Sequence, residues 1–265
     1  MTDLHIVVCM KVVPKTEEVR VNPETRRLIR AGARSEINPP DMNALEMALG
    51  LKDRHGGRVS ILSMGPPTFE PYLRVGLAMG ADHVYLLSDP QFGGADTLAT
   101  TYTLARGIQR MDGADLILCG EESSDGATGQ VPPGLAEWLD LPQLTLVTDV
   151  TIDAVARRVC GRREIRGGYE LLAAPMPAVV SARTACNEPR FMDYRIKRRA
   201  FEEGQVTVWR AEDLAADETM IGARGSPTIV SGLDEARVRE RRREFLRGTP
   251  EEIAQDLLAR LGLLD

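Results

Sequence analysis

The sequence predicts an α/β fold: a mostly parallel sheet flanked by helices, followed by a β-hairpin and an extended C-terminal arm ending in a helix. Three observations predict it. Short continuous apolar runs such as "LHIVVCMKVV" and "ADLILCG" have the composition of strands buried on both faces. Segments with apolar residues at helical spacing separate those runs. The two kinds alternate through the first 150 residues, the order that builds a parallel sheet through right-handed crossovers.

The elements follow in order. After the first strand, "DMNALEMALGLKD" places Ala44, Leu45, Ala48 and Leu49 on one helical face. "GRVSILSMGPP" is a second strand, ended by Gly65, Pro66 and Pro67. "FEPYLRVGLAMGAD" is a helix stopped near Gly80, and "HVYLLSD" a third strand. "ADTLATTYTLARGIQ" sets Leu98, Tyr102 and Ala105 on one helical side. "ADLILCG" is the fourth strand. A helix through "GLAEWLD" carries Val131, Leu135, Trp138 and Leu139 on one face. "QLTLVTDV" is the fifth strand. "AVARRVCGRREI" and "YELLAA" form a hairpin turning at Gly167 and Gly168, and "PAVVSAR" is a further strand.

After Asn187 the alternation stops. Residues 204–232 carry little periodicity and several Gly, Pro and Ser, which predicts an extended arm. Arg237 to Arg247 is a basic run interrupted by glutamates, a solvated or inter-subunit segment. "TPEEIAQDLLARLGLL" is a helix with Thr249 as N-cap, Pro250 at the first position and Glu252 completing a capping box. Its apolar stripe is Ile253, Leu257, Leu258 and Leu261. The expected division is an α/β domain over 1–203 and an arm with its helix over 204–265.

Composition narrows the function. The 265 residues are 43% hydrophobic and 27% charged, with a net charge of −6. That balance points away from nucleic acid and anionic membranes. Cys9, Cys119, Cys160 and Cys186 lack zinc-ligand or redox-motif spacing. No apolar run reaches membrane-spanning length, and the first residues are too interrupted for a signal peptide. A cytoplasmic location is expected, with no metal. His5, His55 and His83 are isolated, and no nucleophile–base–orienter set assembles from neighbouring motifs.

In an open parallel sheet a ligand sits beyond the carboxyl ends of the strands, where the strand order reverses. Small-residue loops follow several strands here, the largest being "GEESSDGATGQ". It holds no lysine, arginine or histidine. A loop entering a helix can still bind phosphate through backbone N–H groups. Gly126 and Gly129 are expected to allow φ > 0 and close approach. The P-loop and the dinucleotide G-x-G-x-x-G are absent, as are the nucleophile-elbow and zinc-protease motifs.

Several candidates keep two readings. Cys9 lets an adenine edge lie against backbone, or is a small buried side chain. Asn38, Pro39, Pro40 and Asp41 form a rigid turn before a helix. Asp41 is a ribose or adenine partner, or that helix's N-cap. Met64 packs on an adenine face or in the core. Asp96 is an N-cap candidate with Thr97 in the first turn. Thr128 and Gln130 offer a hydroxyl and an amide to the phosphates or hydroxyls of a ligand. Pro132 and Pro133 mark the opening turn of the next helix.

Taken together, "CMKVVPKTEEV", "INPPDMNALEMAL", "LSMGPP", "LAMGAD", "DTLAT", "LILCGEESSDGATGQVPPGLAE" and "NEPRF" resemble one family, the β subunit of electron-transfer flavoprotein. The resemblance spans roughly Val7 to Arg199. It implies an adenine-nucleotide alpha-hydrolase-like fold, related to universal-stress-type domains. It also implies a heterodimer with an FAD-carrying α subunit, on which the C-terminal arm and helix pack. Some members hold AMP in the β pocket; bifurcating members hold a second FAD that divides electrons from NADH between two acceptors.

The bifurcating pattern is a "DGDTAQVGP"-like loop with a "DT-x-AT" segment. It is matched by Asp125, Gly126, Thr128, Gln130, Val131 and Pro133, and by Asp96, Thr97, Ala99 and Thr100. Ala127, Gly129 and Pro132 depart from it, as does Lys15 in "VPKT", where Asp is common. The resemblance therefore favours FAD, with AMP the alternative. It assigns the nucleotide to Cys9, Asn38 to Asp41, Met64, Asp96, Thr97, Thr100 and Asp125 to Val131. "EPRFMDYRIKRRAFEEG", from about 187 to 203, corresponds to the partner-recognition segment, with Arg190, Phe191, Tyr194 and Arg195. Phe191 and Tyr194 are exposed anchors, or pack on their own domain. Arg195, Lys197, Arg198 and Arg199 steer an acidic partner, or form a solvated face. The implied partners are an acyl-CoA or other flavin dehydrogenase, NADH, and ferredoxin or flavodoxin. A flavin-free stress-type regulatory module is the reading from another class. An ATP-pyrophosphatase-type ligase lacks its S-G-G-x-D-S loop after the first strand.

Overall fold

The computed structural model describes residues 4–15, 20–21, 28–29, 34–111, 113–229 and 244–263. They fall in two compact units, Met1–Gly232 and Leu233–Asp265. Strand β1 (His5–Cys9) is followed by short antiparallel ribbons, β2 (Val12–Pro14) with β5 (Ser35–Ile37) and β3 (Arg20–Val21) with β4 (Leu28–Ile29). The regular alternation continues with α1 (Pro39–His55), β6 (Arg58–Met64), α2 (Glu70–Met79), β7 (His83–Leu87), α3 (Thr97–Arg110), β8 (Leu116–Gly120) and α4 (Val131–Leu139). Then come β9 (Gln143–Asp153), β10 (Arg158–Ile165), β11 (Gly168–Pro175), β12 (Ala178–Ala182), α5 (Tyr194–Glu202) and β13 (Val206–Trp209). The second unit holds α6 (Pro250–Arg260).

One nine-stranded sheet organises the first unit, in the order β11-β10-β9-β12-β8-β1-β6-β7-β13. From β9 to β13 along that order every pairing is parallel; β10 and β11 are antiparallel additions. The chain travels from β1 through β6 to β7, then returns to the other side of β1 as β8. The order therefore reverses between β1 and β8, and their carboxyl ends, Cys9 and Gly120, border the crevice.

The central strands are buried on both faces, which explains their continuous apolar composition. Ile6 and Val8 join the core that includes Leu45, Ala48, Leu73 and Leu77 from α1 and α2. Val7 and Cys9 join the opposite core with Leu104, Ile108 and Leu135 from α3 and α4. Each fully buried Leu or Ile contributes about 1.5–3 kcal/mol.

Five expectations are corrected. The compact unit extends to Gly232 rather than stopping at 203, because β13 pairs with β7 through Val206–Val84 to Trp209–Leu87. A four-residue edge strand is too short to show a period. Within the same segment Glu212–Leu214 forms a 3-10 turn, and Ala223 N–H donates to Gly93 O, so 204–232 is packed rather than simply extended. Helix α1 begins at Pro39, so Pro39 and Pro40 are its first residues rather than a turn before it; prolines suit the first turn, where no N–H is needed. The hairpin turns at Arg166 and Gly167, since Gly168 already pairs with Ile165. His5 is not isolated: Nε2 lies 2.9 Å from Ser60 Oγ, with both residues buried toward the amino ends of β1 and β6.

The C-terminal helix follows its sequence signals. Thr249 and Glu252 make both bonds of the capping box, at 2.8 and 3.3 Å. Its leucines are not buried: Leu257, Leu258 and Leu261 are all exposed. Thr16 to Val19, and most of the basic run from Arg237 to Arg247, lie outside the described residues.

Candidate functional site

The crevice between β1 and β8 is closed below by two buried side chains of the α1 opening. Asp41 Oδ2 accepts from Lys11 N–H at 2.7 Å, and Oδ1 from Gly120 N–H at 3.2 Å. One carboxylate thus ties together the chain just beyond β1 and the end of β8. Asn38 does the same for the loops: Nδ2 donates to Glu122 O at 2.9 Å and Oδ1 accepts from Ser124 N–H at 3.0 Å. Asn38 N–H also donates to Lys11 O at 2.8 Å.

Asp41 is therefore not an N-cap; Asn38 holds that position, without a side-chain cap bond. Burial pushes the Asp41 carboxyl up to about 7, against the Lys11 N–H, Asn38 and Gly120 N–H hydrogen bonds that pull it down.

The loop from Glu121 to Gln130 rises over this floor. Ser123 O accepts from Gly126 N–H and Ala127 N–H at 3.2 and 2.7 Å. The left-handed positions are Ala127 (φ 46°) and Gly129 (φ 62°); Gly126 does not adopt positive φ, against expectation. The reversal falls one residue later, where alanine tolerates it less well than glycine. Thr128, Gly129 and Val131 N–H groups have no hydrogen-bond partner among the described residues. Pro132 and Pro133 lack N–H, and Gly134 N–H already donates to Gln130 O. The α4 opening thus offers only Val131 N–H, and the other free donors come from the loop itself.

A cation reaches this loop from outside it. Lys11 Nζ lies 2.6 Å from Asp125 Oδ1 and 3.3 Å from Ser123 Oγ. Burial pushes the Asp125 carboxyl up, but the hydrogen bond and charge of Lys11 outweigh it and hold the group below its ordinary value. Lys11 escaped the sequence reading. Its only signal was its position two residues beyond Cys9, at the carboxyl end of the first strand.

The other expected residues divide. Thr97 Oγ1 donates to Gln130 Oε1 at 2.7 Å, which brings the α3 opening and the loop together. Thr128 Oγ1 faces Gln130 N–H at 3.5 Å. Thr100 is half-buried one turn into α3. Asp96 is the α3 N-cap, accepting from Leu98 and Ala99 N–H at 3.0 and 3.1 Å. Its Oδ2 also accepts from Thr228 Oγ1 at 2.7 Å, so both oxygens are engaged within the chain. Burial raises the Asp96 carboxyl, but these bonds outweigh it and leave the group lowered.

Cys9 packs in the core beside Cys119, as a small buried side chain. The Cys9 thiol and burial push the Cys119 thiol well up, so Cys119 does not behave as a reactive thiolate. Met64 is half-buried and lines a cavity of about 570 Å³ with Pro66, Pro67, Phe92 and Arg210. A second cavity, about 250 Å³, lies between Glu121, Gly129 and Pro133 on one side and Thr145, Leu146 and Ser181 on the other.

The expected recognition residues also divide. Arg190 is bound to its own domain: its N–H and Nε donate to Glu46 Oε2, each at 2.9 Å, and Nη2 lies 2.8 Å from Asp53 Oδ2. Phe191 and Tyr194 point away, 95% and 86% exposed, and Arg195 is exposed. The reading in which both aromatics pack on their own domain fails. Among the described residues no group of His, Cys, Asp and Glu could hold a metal. Nor is any described helix long and apolar enough to cross a membrane.

Fold and site together are an α/β sheet with free backbone donors and one lysine at its topological switch point. A family model, "Electron transfer flavoprotein domain", matches residues 25–214. The chain is 40% identical over 259 residues to the electron transfer flavoprotein subunit beta of Thermoanaerobacterium thermosaccharolyticum, covering 98% of each chain. It is 44% identical to the same subunit of Clostridium acetobutylicum over 86% of each chain. Caffeyl-CoA reductase-Etf complex subunit CarD of Acetobacterium woodii is 41% identical over 86% of this chain. The chain belongs to the electron transfer flavoprotein family, in the beta-subunit role.

Proposed function

We propose that this subunit pairs with an FAD-carrying alpha subunit and holds a second nucleotide, FAD, at the switch point between β1 and β8. The observation that carries the reading is the meeting of two segments. The Asp96–Thr100 stretch and the Asp125–Val131 loop are the two that resemble the FAD-holding members, and the Thr97–Gln130 bond at 2.7 Å joins them beside the free amides. These donors suit a diphosphate. Bound FAD supplies electron transfer, including division of an electron pair from NADH between a flavin dehydrogenase and ferredoxin or flavodoxin. The chain's own part is to position the nucleotide with loop amides, neutralise its charge and fix the loop through Asn38 and Asp41. The exposed leucines of α6 supply an apolar face for the alpha subunit.

Purifying the heterodimer and releasing its small molecules tests this. Two flavins per dimer are expected; one flavin with AMP released on denaturation selects the AMP-holding reading. A stable, colourless homodimer on co-expression would reject the family role for this site.

Phe191 and Tyr194 are assigned to the dehydrogenase contact. Replacing both by alanine is expected to weaken that complex about thirtyfold or more, since exposed aromatics commonly anchor interfaces. Stability should change by less than about 0.5 kcal/mol. Titration of the dehydrogenase alongside urea unfolding measures both; unchanged affinity counts against the assignment.

A further inference from the structure

We propose that Lys11 is the cation that neutralises a phosphate in this crevice, and that Asp125 competes with the phosphate for it. The inference rests on the nucleotide reading above and adds the charge that the loop itself lacks.

The loop carries Glu121, Glu122 and Asp125 and no cation of its own. An incoming phosphate adds further negative charge. Free amides at Thr128, Gly129 and Val131 offer dipoles but no net charge, and two prolines strip the α4 opening of the next donors. A positive group from another part of the chain would balance that charge. Lys11 is placed for it. Its backbone is fixed on both sides, N–H to Asp41 and O from Asn38 N–H, so the side chain leaves from a set point on the crevice floor. Its Nζ already touches the loop at Asp125 and Ser123.

The ion pair is asymmetric. The Lys11 side chain is 46% exposed and that of Asp125 14%. A lysine this exposed holds a single carboxylate weakly. A phosphate bearing more charge and more acceptor oxygens is the stronger partner for the same ammonium. Glu121 does not compete as Asp125 does, because its Oε1 accepts from Thr184 N–H at 2.8 Å. Asp125 is thus the internal rival of the phosphate, and the two substitutions have opposite signs.

The test is calorimetric titration of the purified full chain with ADP and with adenosine, at two ionic strengths. Lys11→Met is expected to weaken ADP binding tenfold or more, to leave adenosine within about twofold, and to flatten the salt dependence. Lys11→Arg should restore most of the loss. Asp125→Asn should tighten ADP binding several-fold, and the gain should vanish in the Lys11→Met background. An Asp125→Asn protein that binds ADP no better than the native chain would overturn the proposal, as would a Lys11→Met protein that loses ADP and adenosine equally. A native chain that binds ADP no tighter than adenosine overturns the nucleotide reading itself, which keeps the two failures apart.

Discussion

Replacing Asp41 by alanine is expected to destabilise the protein by about 2–4 kcal/mol and to release whatever nucleotide the crevice holds. Two N–H groups, the part-buried one of Lys11 and the buried one of Gly120, would lose their acceptor at once, and each buried donor left unsatisfied costs about 1–3 kcal/mol. Part of that loss is offset, because alanine removes a carboxyl that burial disfavours. The same residue gives a pH signature. Its folded pKa, about 7, lies above the ordinary 3.8. Between those values the folded chain keeps a proton that the unfolded chain has released. This contribution is therefore present below about pH 4 and is lost as pH rises toward 7. Asp41→Asn should remove that slope. Urea unfolding at pH 5 and pH 8 decides it: equal slopes in the native and Asp41→Asn proteins would contradict the assignment.

Gly120→Ala is expected to cost about 1–3 kcal/mol, the usual penalty for overpacking. An added Cβ would stand 2.5 Å from Asp41 Oδ1 and 2.7 Å from the carbonyl carbon and Cβ of Pro40. The carboxylate could shift; the proline at the helix start has less freedom. Combined with Asp41→Ala, the two changes should be non-additive by at least about 0.5 kcal/mol, since one removes part of the other's clash. A double-mutant cycle by urea unfolding measures it, and strict additivity would show that Gly120 and Asp41 do not act on the same contact.

The two devices that shape the crevice differed in legibility. The loop announced itself through glycines, small polar residues and a helix pattern behind them. Pro132 and Pro133 were legible as an opening turn because proline lacks an N–H at any location. Lys11 was not legible, because its meaning depends on Asp125, 114 positions later. Arg190 shows the reverse error. An arginine in a recognition-like segment looked available, but Glu46 and Asp53, on a helix far earlier in the chain, already hold it.

The sequence by itself determined which segments become strands and helices. Burial on both faces demands continuous apolar runs, amphipathic faces demand a helical period, and capping residues act on their immediate neighbours. All of these are local. It also carried the family, since the order and spacing of the motifs are specific together where each alone is weak. The tertiary structure alone decided that β12 inserts between β8 and β9 and that β13 closes the far edge. It alone set a buried carboxylate and a lysine at the place where the strand order turns back. Those outcomes depend on pairing between distant residues, and neither period nor composition records which partner a strand edge or a charge will find.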